Sequence, residues 1–135
     1  MADPEAVVTD THALVYHAAA SARLGKRAAA HFRACEERKA IIYVPAAVLW
    51  ETSLIARSGH VNLRRTPQAF FEDLFSNPAY QPYDLTADQI YDADGLRFNR
   101  DPFDALICAA ARALALPLLT RDADIERSGV VRILW

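Results

Sequence analysis

Residues 101–134, DPFDALICAAARALALPLLTRDADIERSGVVRIL, decide the fold. Asp101 before Pro102 reads as a helix N-cap followed by the first helical residue. An aspartate oxygen accepts an otherwise unpaired backbone N–H there, and proline lacks the N–H that a helix start cannot use. The alanine-rich stretch that follows favours helix. Pro117 cannot continue it, and LPLLT reads as a short buried strand that ends near Arg121-Asp122. A short turn or helix over residues 123–128 leads back to a closing strand, VVRIL. Two strands joined by a helical return run parallel, and a parallel sheet is covered on both faces.

Working outward, the same alternation extends to the N-terminus. AVVTD, residues 6–10, is a β-branched run that ends at an aspartate, and the helical THALVYHAAA follows it. A second helix is expected over residues 24–39, and IIYV at 41–44 is the next strand. Pro45 is expected to open a helix in PAAVLWETSLIARSG, with Gly59 as its stop. Thr66-Pro67 opens the helix TPQAFFEDLF, and Asn77-Pro78 ends it. A strand is expected over residues 82–85. Thr86 with Gln89 then forms a capping-box pattern at the start of another helix. The class is therefore α/β, with a central twisted parallel sheet of four to five strands flanked by helices on both faces.

The 135 residues suit one domain, read as 1–135, and 53% hydrophobic with 24% charged residues is a globular composition. No apolar run approaches the ~18 residues a membrane span needs. The first residues, MADPEAVVTD, carry acids where a secretory leader carries bases, so the expectation is a cytoplasmic protein with no membrane partner. Cys35 and Cys108 belong to no CxxC pair and read as buried free thiols. A net charge of −2 gives no global basic field. Cations are thirteen arginines against Lys26 and Lys39, a bias that suits phosphate contacts but that genome composition also produces.

The chemistry lies in the placement of acids. In open parallel sheets, ligands bind beyond the carboxyl ends of the strands. Asp10 ends the first strand and Asp122 follows LPLLT, although each also suits a helix cap or a turn. Glu51 is harder to explain locally. Its helical neighbours are Ala47, Val48, Leu54 and Ile55, so a carboxylate sits within an apolar stripe and requires a partner or a metal ion. Asp104, third in its helix, interacts with the helix dipole and also suits the cleft at the sheet rim. Four carboxylates sharing one cleft repel one another, and a hard cation, Mg²⁺ or Mn²⁺, resolves this through oxygen ligands. An all-carboxylate set argues against zinc. The chemistry suggested is phosphodiester hydrolysis.

The order and context of these residues resemble the PIN domain, in particular VapC-type toxins. VVTDTHALVYH is similar to the family's opening strand and first aspartate, and VPAAVLWETSLIARSG to the segment that carries its glutamate. RDPFDALICAAARALALPLLTRDADI resembles the segment with the later aspartates, and VVRILW resembles the family's ending. The resemblance implies that Asp10, Glu51, Asp104 and Asp122 form an Mg²⁺ or Mn²⁺ site. It implies Asp124 as an outer ligand acting through water and Thr120 as an orienting hydroxyl. It also implies endoribonuclease activity that leaves 5′-phosphates, homodimerisation, and neutralisation by a cognate antitoxin peptide that covers the cleft. Pro45-Ala46 departs from the small hydroxyl residue common in relatives, and ALICAAA lacks the polar residues often found after the aspartate.

Other classes fit less well. A signalling receiver needs an acidic pair after the first strand and a lysine after a late strand, and neither is present. A binding module with an acidic cleft but no catalysis and a phosphatase of small esters are the remaining alternatives. His12 and His17 do not face each other on a helix, so metal binding by that pair is not expected. Trp50, Phe70, Phe71, Phe75 and Trp135 read mainly as core or dimer contacts. Arg100 and Arg121 adjoin the acids in sequence and suit either a phosphate or a salt bridge.

Overall fold

The computed structural model describes residues 5–135. The start of the segment read above against a secretory leader, residues 1–4, lies outside the described residues. Twelve elements follow in order: β1 (Ala6–Thr9), α1 (Thr11–Ala18), α2 (Lys26–Glu36), β2 (Ile41–Pro45), α3 (Ala46–Arg57), α4 (Pro67–Phe75), β3 (Tyr80–Tyr83), α5 (Ala87–Gly95), α6 (Pro102–Leu114), β4 (Leu118–Leu119), α7 (Ala123–Ser128) and β5 (Ile133–Leu134).

All five strands are parallel, in the order β3-β2-β1-β4-β5. The chain begins at the middle strand, builds outward through β2 and β3, then returns to the other side of β1. That reversal opens a crevice beyond the C-terminal ends of β1 and β4. Val7 and Val8 are adjacent in a strand, so their side chains point to opposite faces. Both are fully buried, which shows that helices cover the sheet on both sides. Ile42, Val44, Leu118, Leu119 and Phe32 complete the centre of the core.

Several boundaries differ from the sequence expectation, each for a local reason. Helix α2 starts at Lys26 because the C-terminus packs against Gly25, where a Cβ would stand 2.6 Å from the Trp135 carbonyl carbon. The Arg27 N–H donates to the Trp135 carbonyl at 3.2 Å, tying the chain end to that helix. Pro45 ends β2 and stands at the N-cap of α3 instead of inside it. Strand β3 lies two residues earlier than expected and contains Pro82, which an edge strand tolerates. Strands β4 and β5 are each shorter than their apolar runs. Among the described residues no helix is long and apolar enough to cross a membrane. Cys35 and Cys108 are buried and free.

Candidate functional site

Two acids are delivered by neighbouring strands. Thr9 of β1 pairs with Leu119 of β4, and the Asp10 N–H donates to the Leu119 carbonyl at 3.2 Å. Asp10 is the N-cap of α1, its Oδ1 accepting the Ala13 N–H at 2.8 Å. Asp122 is the N-cap of α7, its Oδ1 accepting the Ile125 N–H at 2.9 Å. The capping role and the rim position expected of each aspartate therefore coexist, because the helix that each caps starts at the crevice.

The other two acids come from helices. Glu51 sits on α3 among buried Ala47 and Val48, and its Oε1 accepts a hydrogen bond from the Thr11 hydroxyl. Asp101 caps α6 by accepting the Phe103 N–H at 2.8 Å, as its place before Pro102 predicts. That leaves the Asp104 carboxylate to turn inward, where its Oδ2 accepts the Asn99 side-chain amide at 2.8 Å.

Asp10, Glu51, Asp104 and Asp122 line one cavity of about 250 Å³. One oxygen of each is fixed by a named donor, two from backbone N–H groups and two from side chains. Such second partners set where the remaining oxygen points, the arrangement that orients metal ligands in general. Among the described residues, however, no three of His, Cys, Asp or Glu stand close enough together to hold a metal ion as a group. The set fits a hard divalent cation in donor type, all oxygen and anionic, but not in the spacing that the structure shows.

The electrostatics point the same way. Burial pushes the Asp10 carboxyl up to about 6, against hydrogen bonds from Thr120 and Ala13 that favour its charged form. Burial likewise raises Asp104 to about 6, with Asp101, Asp122 and Glu51 adding like-charge repulsion. Glu51 is raised by burial and by Asp101, against the Thr11 hydrogen bond. One turn beyond Asp104 on α6, the Cys108 thiol is pushed up to about 12 by burial and by Asp104, Asp122 and Asp10, so it stays protonated. A cavity that raises several carboxyl groups together is one in which a cation is worth most.

Three further residues share this cavity: Arg121, read from the sequence as suiting a phosphate or a salt bridge, His12, weighed there only as a partner of His17, and Tyr16, which the sequence reading passed over. His12 and Tyr16 are four apart on the helix that Asp10 starts, a spacing that puts them on one face, and this was the available signal. Thr120 is buried, and its hydroxyl accepts the Asp122 N–H at 3.1 Å besides bonding Asp10, as an orienting residue would. Asp124 instead pairs with Arg127 and does not line the cavity. His17 lies away from it, stacked on Phe32 at 4.3 Å and 3.1 Å from Glu36. Of the aromatic residues, Phe70 and Phe71 are core, whereas Trp50 is 52% exposed.

The family profile described as PIN domain matches residues 7–130. Among solved structures, VapBC2 from Rickettsia felis bound to a promoter DNA fragment is similar at a TM-score of 0.69 and 15% identity, covering 96% of this chain and 97% of that one. Mycobacterium tuberculosis VapC20, a Sarcin-Ricin loop cleaving toxin, is similar at 0.66 and 21% identity, covering 93% and 98%. FitAcB from Neisseria gonorrhoeae is similar at 0.65 and 16% identity, covering 96% of both chains. At such identities these likenesses establish the fold alone. No curated protein matches the chain.

Proposed function

This chain belongs to the PIN-domain family, and from that premise we propose that it is a metal-dependent endoribonuclease, the toxin of a toxin–antitoxin pair. The observation that carries the reading is the convergence of Asp10, Glu51, Asp104 and Asp122 on one cavity at the topological switch point, each with an oxygen fixed by hydrogen bonding. These residues would hold Mg²⁺ or Mn²⁺. When bound, such a cation supplies an activated water and offsets charge at the leaving oxygen.

The chain's own contribution is orientation and charge. Thr11 and Asn99 fix the Glu51 and Asp104 carboxylates, while the first turns of α1 and α7 fix Asp10 and Asp122. The four acids gathered on one cavity supply the negative charge that selects a cation. RNA is the substrate proposed, and one similar structure is described as a Sarcin-Ricin loop cleaving toxin. The cognate antitoxin is the protein partner proposed, since similar structures are toxin–antitoxin complexes. The whole chain acts as one domain, as a cytoplasmic homodimer.

The looseness of the acids favours a second reading, a PIN-like module that binds RNA without cutting it. Purified protein incubated with an RNA panel and Mg²⁺ or Mn²⁺ separates the two. The nuclease reading expects cleavage that EDTA stops and that falls at least ~100-fold in Glu51→Gln, with folding retained by circular dichroism. Binding with no cleavage in either metal would leave only the module.

A further inference from the structure

An acid-lined cavity in a protein of net charge −2 repels the polyanion it is proposed to cut. Something at its rim must favour phosphate. Arg121 directly precedes Asp122 and lines the same cavity, yet among the described residues it forms no ion pair. Instead its Nη2 donates to the Tyr16 hydroxyl at 3.0 Å, and its guanidinium carbon lies 5.3 Å from the centre of the Tyr16 ring. Tyr16 is in turn set edge-on to Trp135 at 6.3 Å. The side chain is exposed, so most of its five N–H donors face solvent in a planar fork held by an aromatic plate.

We propose that Arg121 is the phosphate-binding arm of this site, taking a phosphodiester of the RNA strand, and that Tyr16 is the positioning residue that holds it there. This rests on the nuclease reading. A guanidinium drawn into an ion pair with Asp122 or Asp10 would be neutralised and would weaken their hold on a cation. Resting on Tyr16, it keeps its charge beside the acids without consuming them. Two N–H groups of the fork match two phosphate oxygens, which fixes the strand in register as well as attracting it. Loss of the arm therefore weakens RNA binding while the metal ligands remain.

The test uses the full chain, a short fluorescent single-stranded RNA, and Arg121→Gln, Arg121→Lys and Tyr16→Phe. In EDTA, where nothing is cut, Arg121→Gln is expected to bind RNA about tenfold more weakly, with a plot of log affinity against log salt shallower by about 0.7, one phosphate contact. Arg121→Lys restores most of that slope. With metal, Tyr16→Phe raises KM several-fold and leaves kcat within about twofold. Mn²⁺ affinity, measured by calorimetry, is unchanged in Arg121→Gln. If the wild type cuts RNA and Arg121→Gln keeps its salt slope and KM, this inference fails alone. A changed Mn²⁺ affinity with an unchanged slope also overturns it, assigning Arg121 to the acids. If the wild type neither binds nor cuts RNA, the nuclease reading fails and this falls with it.

Discussion

Asp10 caps a helix and lines the acidic cavity with one side chain, and these roles respond oppositely to its charge. The cap needs only an oxygen acceptor, which asparagine also supplies. The cavity resists the negative charge, which is why the Asp10 and Asp104 carboxyls are raised to about 6. Both hold a proton more tightly in the fold than in the unfolded chain, so stability from these groups is complete below the unfolded value of 3.8 and lost as pH rises through about 6. Without metal, therefore, Asp10→Asn should stabilise at pH 7.5, by on the order of 1–2 kcal/mol given partial solvent access, and have little effect near pH 4. Thermal melts in EDTA at both pH values read this directly. Equal destabilisation at both would mean that the cap, not the charge, dominates Asp10. Divalent metal should reverse the order, stabilising the wild type and not the variant.

Helix ends are where the sequence was most legible, because capping is local. Thr66, Thr86 and Asp101 cap the helices expected of them. At Thr86 the pattern is half fulfilled: its hydroxyl accepts the Gln89 N–H, but the Gln89 side chain turns to the Asp84 carbonyl instead of closing the box. Glu51 was visible as a charge in an apolar stripe. The meeting of Asp10 with Asp122 was not, since it depends on β1 pairing with β4, nor was the contact between Arg121 and Tyr16, 105 residues apart. Strand ends also escaped, because an apolar run does not reveal which of its residues find ladder partners. Several helix ends place a residue other than glycine in the left-handed region, among them those of α1, α2 and α6. Helix α6 stops at Ala115 in the left-handed region, at φ 54°, where a Cβ is disfavoured. Ala115 is exposed and packs nothing essential. Ala115→Gly is therefore expected to stabilise by about 0.5–1 kcal/mol, the strain relief exceeding the added freedom of the unfolded chain. Urea unfolding would show a higher midpoint at unchanged slope, and a lower midpoint would show that the turn is unstrained.

At the scale of the molecule, the strand order places α3 between two surfaces of opposite character. Glu51 faces the acidic cavity, while the adjacent Trp50 lines a groove of about 740 Å³ between α3 and α4, with Leu49, Phe71 and Phe75. An indole 52% exposed in an apolar groove is an unusual expense for a monomer and a common anchor for a partner. Arg57 lies over its ring at 5.5 Å, adding a cation at the rim. Under the toxin reading proposed above, the occupant expected is an apolar segment of the antitoxin with an acidic residue placed to meet Arg57. Such a segment would lie across α3 from the acidic cavity, where its continuation could reach the acids. Trp50→Glu should then separate neutralisation from catalysis. Half of the side chain is exposed, so the fold and RNA cleavage are expected to survive, whereas loss of an aromatic anchor costs about 2 kcal/mol or more, roughly thirtyfold in affinity. Titrating cognate antitoxin into an RNA cleavage reaction measures both at once: cleavage without antitoxin near the wild-type rate, and an inhibition curve displaced to higher antitoxin by that factor. An undisplaced curve would remove this groove from the antitoxin interface.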